Sequence, residues 1–302
     1  MPEHSIYADI AGRTGGDIYI GVVGPVRTGK STFIKRFMES LVLPNIGEGY
    51  SRDRARDEMP QSAAGKTVMT TEPKFIPDEA VAITVDGCAT LRVKMIDCVG
   101  YMVEGATGHM EGEEERLVKT PWFDYEIPFT KAAAIGTKKV ITEHSTIGVV
   151  VTCDGSFGEI AAKQYEPAEE ETIKQLKALK KPFVVLLNTI HPYSESTKQL
   201  AAEKEEKYQT KVLPMNLEQM KKEDIYEIIK SVLMEFPISS IGFYVPRWTE
   251  MLKKDHPLKM ELLQMARDVI TEKTTMRDIY EEQEKEYEYI TGQKLESVAM
   301  DS

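Results

Sequence analysis

Ile18-Tyr19-Ile20-Gly21-Val22-Val23-Gly24-Pro25-Val26-Arg27-Thr28-Gly29-Lys30-Ser31-Thr32-Phe33-Ile34-Lys35-Arg36-Phe37-Met38-Glu39 is the stretch whose reading decides the fold. Its first six residues are apolar and rich in β-branched side chains, as in a buried strand. Gly24 to Ser31 matches GxxxxGK[ST], and the residues after it read as a helix. Strand, glycine-rich turn and helix together are the setting in which this pattern makes a phosphate-binding loop. The glycines let the backbone wrap closely, so that N–H groups point at phosphate oxygens. The helix N-terminus adds partial positive charge. Gly24, Pro25, Val26, Arg27, Thr28, Gly29, Lys30, Ser31 and Thr32 are therefore candidate nucleotide-binding residues. Lys30 is expected to reach the β- and γ-phosphates, and the Ser31 hydroxyl to ligate Mg2+.

Outward from this loop, the strand-then-helix rhythm repeats. Leu91 to Ile96 reads as a strand ending at Asp97, and Ile147 to Thr152 as a cleaner one. A helix is expected over Ala168 to Leu179, then a buried strand over Pro182 to Leu187. Another helix follows over Ser196 to Tyr208, a short strand over Lys211 to Met215, and a helix over Asp224 to Met234. Such alternation predicts an α/β fold: a mostly parallel sheet with helices on both faces, of the P-loop NTPase class. Residues 1–235 form that domain. Phe236-Pro237 and Val245-Pro246 read as a junction to a further, mixed or helical segment over 236–302. There, Leu258, Leu262, Met265 and Val269 share one helical face, and Met276, Ile279, Tyr280, Tyr287 and Ile290 another. Two stretches break the rhythm and read as long irregular loops: Pro44 to Pro73, and Tyr101 to His144 with its acidic run and aromatic cluster. They fall where switch elements of a P-loop protein belong.

Asp97-Cys98-Val99-Gly100 is a DxxG pattern after a strand. Asp97 is a candidate for the magnesium shell, and the Gly100 N–H for the γ-phosphate. Thr70 and Thr71 lie between the two motifs, where a threonine ligates Mg2+ and senses the γ-phosphate; Thr71 is the candidate ligand. The glutamine that orients water in Ras-like switches is replaced by Tyr101. Arg27, Arg52, Arg54 and Arg56 could supply charge. The guanine-reading NKxD motif has become Asn188-Thr189-Ile190-His191, which keeps Asn188 but loses the carboxylate. Losing a charge-assisted pair costs about 1.5–3 kcal/mol, so ATP is expected over GTP.

Composition bounds the rest. The chain has 302 residues and a net charge of −11, which speaks against nucleic acid as main partner and against direct attraction to anionic lipid. Membrane attachment would need an adaptor. No stretch approaches the roughly 20 apolar residues that span a bilayer. Cys88, Cys98 and Cys153 are widely spaced, as suits a reducing compartment.

Ile6-Tyr7, Arg13-Thr14-Gly15-Gly16-Asp17-Ile18-Tyr19, the stretch from Gly21 to Ile34, Leu43-Pro44-Asn45-Ile46, Thr67-Val68-Met69-Thr70-Thr71-Glu72-Pro73 and Asp97-Cys98-Val99-Gly100-Tyr101 resemble the stage IV sporulation protein A family of spore-coat morphogenetic ATPases. The resemblance implies descent from translation-factor-type GTPases with use as an ATPase. It implies that ATP hydrolysis drives self-assembly into a static polymer. That polymer forms the coat basement layer on the outer forespore membrane, in the mother-cell cytoplasm. It is held there by the membrane peptide stage V sporulation protein M, and other coat proteins build on it. Lys30 matches the Walker A lysine, Thr70 and Thr71 the sensor threonines, and Asp97 the Walker B aspartate. Family members are longer, so 236–302 is expected to be the start of a middle domain, cut short. A GTPase-type switch and a nucleotide-holding scaffold without turnover remain the alternatives.

Overall fold

The computed structural model describes residues 17–60, 72–85, 89–112, 114–158, 160–238, 242–243, 245–272 and 274–280. Its strands are β1 (Asp17–Val23), β2 (Lys74–Val85), β3 (Ala89–Asp97), β4 (Met110–Glu111), β5 (Glu114–Glu115), β6 (Leu117–Thr120), β7 (Phe123–Pro128), β8 (Ile147–Cys153), β9 (Phe183–Asn188) and β10 (Val212–Met215). Its α-helices are α1 (Lys30–Phe37), α2 (Tyr50–Asp57), α3 (Phe129–Lys139), α4 (Ala162–Ala178), α5 (Glu195–Tyr208), α6 (Lys222–Met234), α7 (Pro257–Glu272) and α8 (Met276–Tyr280).

Six strands form the central sheet in the order β10-β9-β8-β1-β3-β2. All neighbours run parallel except β2, which pairs antiparallel with β3 at the edge. Every residue of β8 and β9 is buried. That is the signature of strands covered on both faces, and it explains their unbroken apolar sequences. Ile18, Ile20, Val22, Val149, Val151, Val184 and Leu186 join one core with Phe33 and Phe37 of α1 and Ile228 and Val232 of α6. Val150, Val185 and Leu187 join a second core with Val140, Ile173 and Leu176, and with Ala201 and Tyr208 of α5. The expected α/β architecture, with helices on both faces, is observed.

The two expected irregular loops are corrected. Residues 50–57 of the first form α2, which buries only Ala55 and is held by ion pairs rather than by an apolar stripe. Arg54 contacts Glu58 at 3.0 Å and Asp78 at 2.5 Å. The second stretch contains two small antiparallel hairpins, β4–β5 and β6–β7, followed by α3. Part of its acidic run caps a helix: Glu115 Oε1 accepts from the Thr130 N–H at 3.0 Å and from the Thr130 hydroxyl, in the first turn of α3. Those hydrogen bonds hold the Glu115 carboxyl below the usual range, and a negative charge at a helix N-terminus is favourable.

The segment after α6 leaves the domain and returns to it. Ile238 N–H donates to Thr274 O and Met276 N–H to Phe236 O, both at 3.0 Å, so Pro237 and Thr275 bridge antiparallel. Met276 enters the first core, and Arg277 pairs with Glu235 at 3.3 Å. Leu258, Leu262, Met265 and Val269 on α7 are half-buried. Of the other expected face, Tyr287 and Ile290 lie outside the described residues. Met276→Ala should therefore lower the free energy of unfolding by about 2–5 kcal/mol. Met265→Ala should cost under about 1 kcal/mol, because less burial is lost. Urea denaturation of the two variants checks the difference.

Candidate nucleotide site

β1, β3, β8, β9 and β10 all point their carboxyl ends at one rim of the sheet, which is where open α/β sheets bind ligands. The loop after β1 turns sharply there. Gly24 has φ 127°, and a Cβ on it would lie 2.5 Å from Val151 O, so this backbone approach to β8 requires glycine. Arg27 takes the left-handed conformation at φ 62°, a strain typical of functional loops. Its guanidinium donates to Thr107 Oγ1 at 3.1 Å.

Lys30 begins α1 and is buried. Its ammonium donates to Pro25 O and, at 3.3 Å, to Gly24 O. Burial pushes its pKa down, against the raising influence of Cys98 and Asp97. The Ser31 hydroxyl donates to Asp97 Oδ2 at 3.1 Å. Asp97 Oδ1 is buried with no hydrogen-bond partner among the described residues. Burial pushes the Asp97 pKa up, with Lys30 and Ser31 opposing. A hydroxyl beside an orphaned carboxylate oxygen fits a hard divalent cation, and Mg2+ characteristically takes one or two carboxylates with waters and phosphate oxygens. The described residues contain no cluster of three or more His, Cys, Asp or Glu side chains able to hold a metal.

The DxxG turn is bonded to the phosphate loop through the main chain. Val26 N–H donates to Tyr101 O at 2.9 Å, and Tyr101 N–H to Gly24 O at 3.3 Å. Gly100 has φ 96°, and a Cβ there would lie 2.2 Å from Gly24 O and 2.6 Å from Lys30 Nζ. The Gly100 N–H, the expected donor to a γ-phosphate, here donates to Thr137 Oγ1 at 3.2 Å. Tyr101 packs against the apolar cluster that includes Val26, and its hydroxyl donates to Gln175 Oε1 at 2.8 Å. Burial pushes that phenol up to about 12, so it stays protonated.

Asn188 is buried at the end of β9 and works as a clamp. Its Nδ2 donates to Thr28 O at 3.0 Å, and its Oδ1 accepts from Leu217 N–H at 3.2 Å. Thr189 is buried, and its Oγ1 accepts from the His191 N–H at 3.2 Å, while the His191 side chain is exposed. Asp154 Oδ1 accepts from Ser156 N–H at 2.9 Å, and Ser156 Oγ from Ile190 N–H at 3.0 Å, tying the β8 and β9 loops together. Thr137, Asp154, Ser156 and Leu217 were not singled out by sequence reasoning; their position at strand carboxyl ends, or on the helix behind them, is the signal. Thr70 and Thr71 lie outside the described residues. Arg52, Arg54 and Arg56 sit on or beside the ion-paired α2, and Glu58 raises the Arg54 pKa.

Residues 1–237 match the family model described as stage IV sporulation protein A, ATPase domain. The chain belongs to the stage IV sporulation protein A family. Residues 238–302 match that family's middle domain. A stage IV sporulation protein A of Clostridioides difficile (strain 630) is 54% identical over 277 residues, covering 92% of this chain and 56% of the relative. Relatives of the same name from Bacillus anthracis and Bacillus subtilis (strain 168) are each 45% identical over 302 residues, 99% of this chain and 61% of theirs. The chain thus spans 56–61% of the length of these sporulation protein A relatives.

Asn188→Ala would leave the Leu217 N–H and the Thr28 carbonyl without their partner. It should cost about 1–3 kcal/mol of folding stability and weaken binding of any nucleotide, whatever its base. Thermal unfolding with and without nucleotide checks both.

Proposed function

We propose that this chain is a Mg2+-dependent ATPase whose turnover drives self-assembly of the spore-coat basement layer. The observation that carries the reading is the juxtaposition of Lys30, Ser31, Asp97 and Gly100 at the sheet rim, beside an Asn188 that is followed by no base-reading carboxylate. The buried Lys30 ammonium rests on two carbonyls, which are weaker partners than a phosphate. Exchanging them for phosphate oxygens in a site of low dielectric gives a large electrostatic gain. Ser31, Asp97 and Thr71 would hold Mg2+, which would neutralise charge building on the phosphates. Thr70 and Thr71 are the sensors of the γ-phosphate. On the base side, Asn188 holds the loop while Thr189 and the exposed His191 offer guanine no paired anionic acceptor.

This reading assigns the chemistry to residues 1–235 and treats 236–302 as the start of a middle domain. The partners are further copies of the chain, coat proteins, and the membrane peptide stage V sporulation protein M. The setting is the mother-cell cytoplasm, at the outer forespore membrane. No helix among the described residues is long and apolar enough to cross a membrane, which supports attachment through an adaptor. The sheet order with its antiparallel β2 edge is shared by both readings, so a GTPase-type switch stays the competing one.

Phosphate release from ATP and from GTP, with wild type and Lys30→Ala, tests the proposal. ATP turnover should exceed GTP turnover and vanish in the variant. A strong preference for GTP would establish the switch. Bound ATP persisting for hours without turnover would establish a scaffold.

A further inference from the structure

Gly100 sits against the phosphate loop so closely that a Cβ on it would lie 2.6 Å from the Lys30 ammonium nitrogen. A terminal phosphate held by Lys30 would therefore lie beside this peptide. The Gly100 N–H is nevertheless already engaged, donating to Thr137 Oγ1 at 3.2 Å. Thr137 is fully buried in the last part of α3. Its hydroxyl proton is committed to Ala133 O at 2.8 Å, so its oxygen presents a lone pair to Gly100. The helix carrying it is anchored by Phe129, Ala132 and Ala133, all fully buried, so the acceptor is held in place. The neighbouring Cys98 thiol also lies within reach of the Gly100 N–H and the Thr137 hydroxyl. Burial pushes its pKa up to about 11, and it donates to Val22 O at 3.4 Å.

We propose that Thr137 is a positioning residue that holds the DxxG glycine in its resting orientation, and that a γ-phosphate is sensed by taking the Gly100 N–H from the Thr137 hydroxyl. This rests on the nucleoside-triphosphate reading of the site given above. One N–H cannot bond fully to both acceptors, so binding of a triphosphate must release the Thr137 bond. A diphosphate, lacking the outermost group, leaves it intact. Thr137 thereby lowers affinity for the triphosphate selectively.

The test is calorimetric binding of ADP and of a non-hydrolysable ATP analogue, both with Mg2+, to the full chain. Wild type is compared with Thr137→Val and Thr137→Ser, with thermal melts to verify folding. Valine keeps the shape and removes the acceptor, leaving the Gly100 N–H unpaired at rest. The preference for the analogue over ADP should rise about tenfold in Thr137→Val and stay at the wild-type value in Thr137→Ser. A merely structural role would weaken both ligands alike. An unchanged or reduced preference in the valine variant, with wild type binding both ligands, overturns this inference alone. Wild-type chain that binds neither ligand overturns the site reading and this inference with it. Should the valine variant not fold, the Thr137→Ala and Thr137→Ser pair carries the same comparison, with the higher preference expected in alanine.

Discussion

A buried ammonium organises this molecule. Lys30 is the first residue of α1, and its charge has been taken out of water. Such a charge needs dipoles or counter-charges around it. Here the Gly24 and Pro25 carbonyls fold over it, Asp97 stands close by, and Gly100 closes the remaining side. The shape of the phosphate loop follows from that arrangement. Gly24 must turn through a positive φ against Val151, and Gly100 must have no side chain. Depressed basicity at Lys30 and raised pKa at Asp97 express the same strain from two directions. Perturbed groups of opposite charge brought together at a sheet rim are the mark of a functional site.

Legibility in the sequence follows how local each determinant is. The phosphate loop and α1 are contiguous, so their residues declare them. β8 and β9 are legible because both of their faces are covered, which leaves continuous apolar runs. β2 is harder to read. It is an edge strand whose pairing slips between Ile76 and Val81, and exposed Asp78 and Glu79 interrupt its alternation. α2 buries Ala55 alone and depends on Asp78 from another element, so it shows no stripe. α3 did carry a signal: Phe129, Ala132, Ala133, Gly136 and Thr137 are buried at helical spacing. The acidic and aromatic residues ahead of it masked that pattern. At the site, Lys30, Ser31 and Asp97 were readable from motifs, whereas Thr137 meets Gly100 across 37 positions, a pairing that only the packing of α3 creates.

The remnant of the guanine motif shows how one residue can hold two roles. Asn188 stands where NKxD has its Asn, followed by Thr189, Ile190 and His191. Its amide joins the phosphate loop at Thr28 to the loop after β10 at Leu217, and both bonds are buried. That work is independent of which base is bound. The framing bonds thus need no carboxylate at the position of His191.

The antiparallel bridge between Pro237 and Thr275 also has a mechanical meaning. The chain departs from the ATPase unit and comes back at the same spot, so the intervening excursion is cinched at its base. Tension applied beyond Tyr280 would first load the Arg277–Glu235 pair and the two backbone bonds of the bridge. Met276, between them, is packed in the core that the strands share, so the load passes on to the sheet. The clip therefore makes the excursion over 238–274 and the end of α6 one mechanical unit, so a pull on either is felt by both.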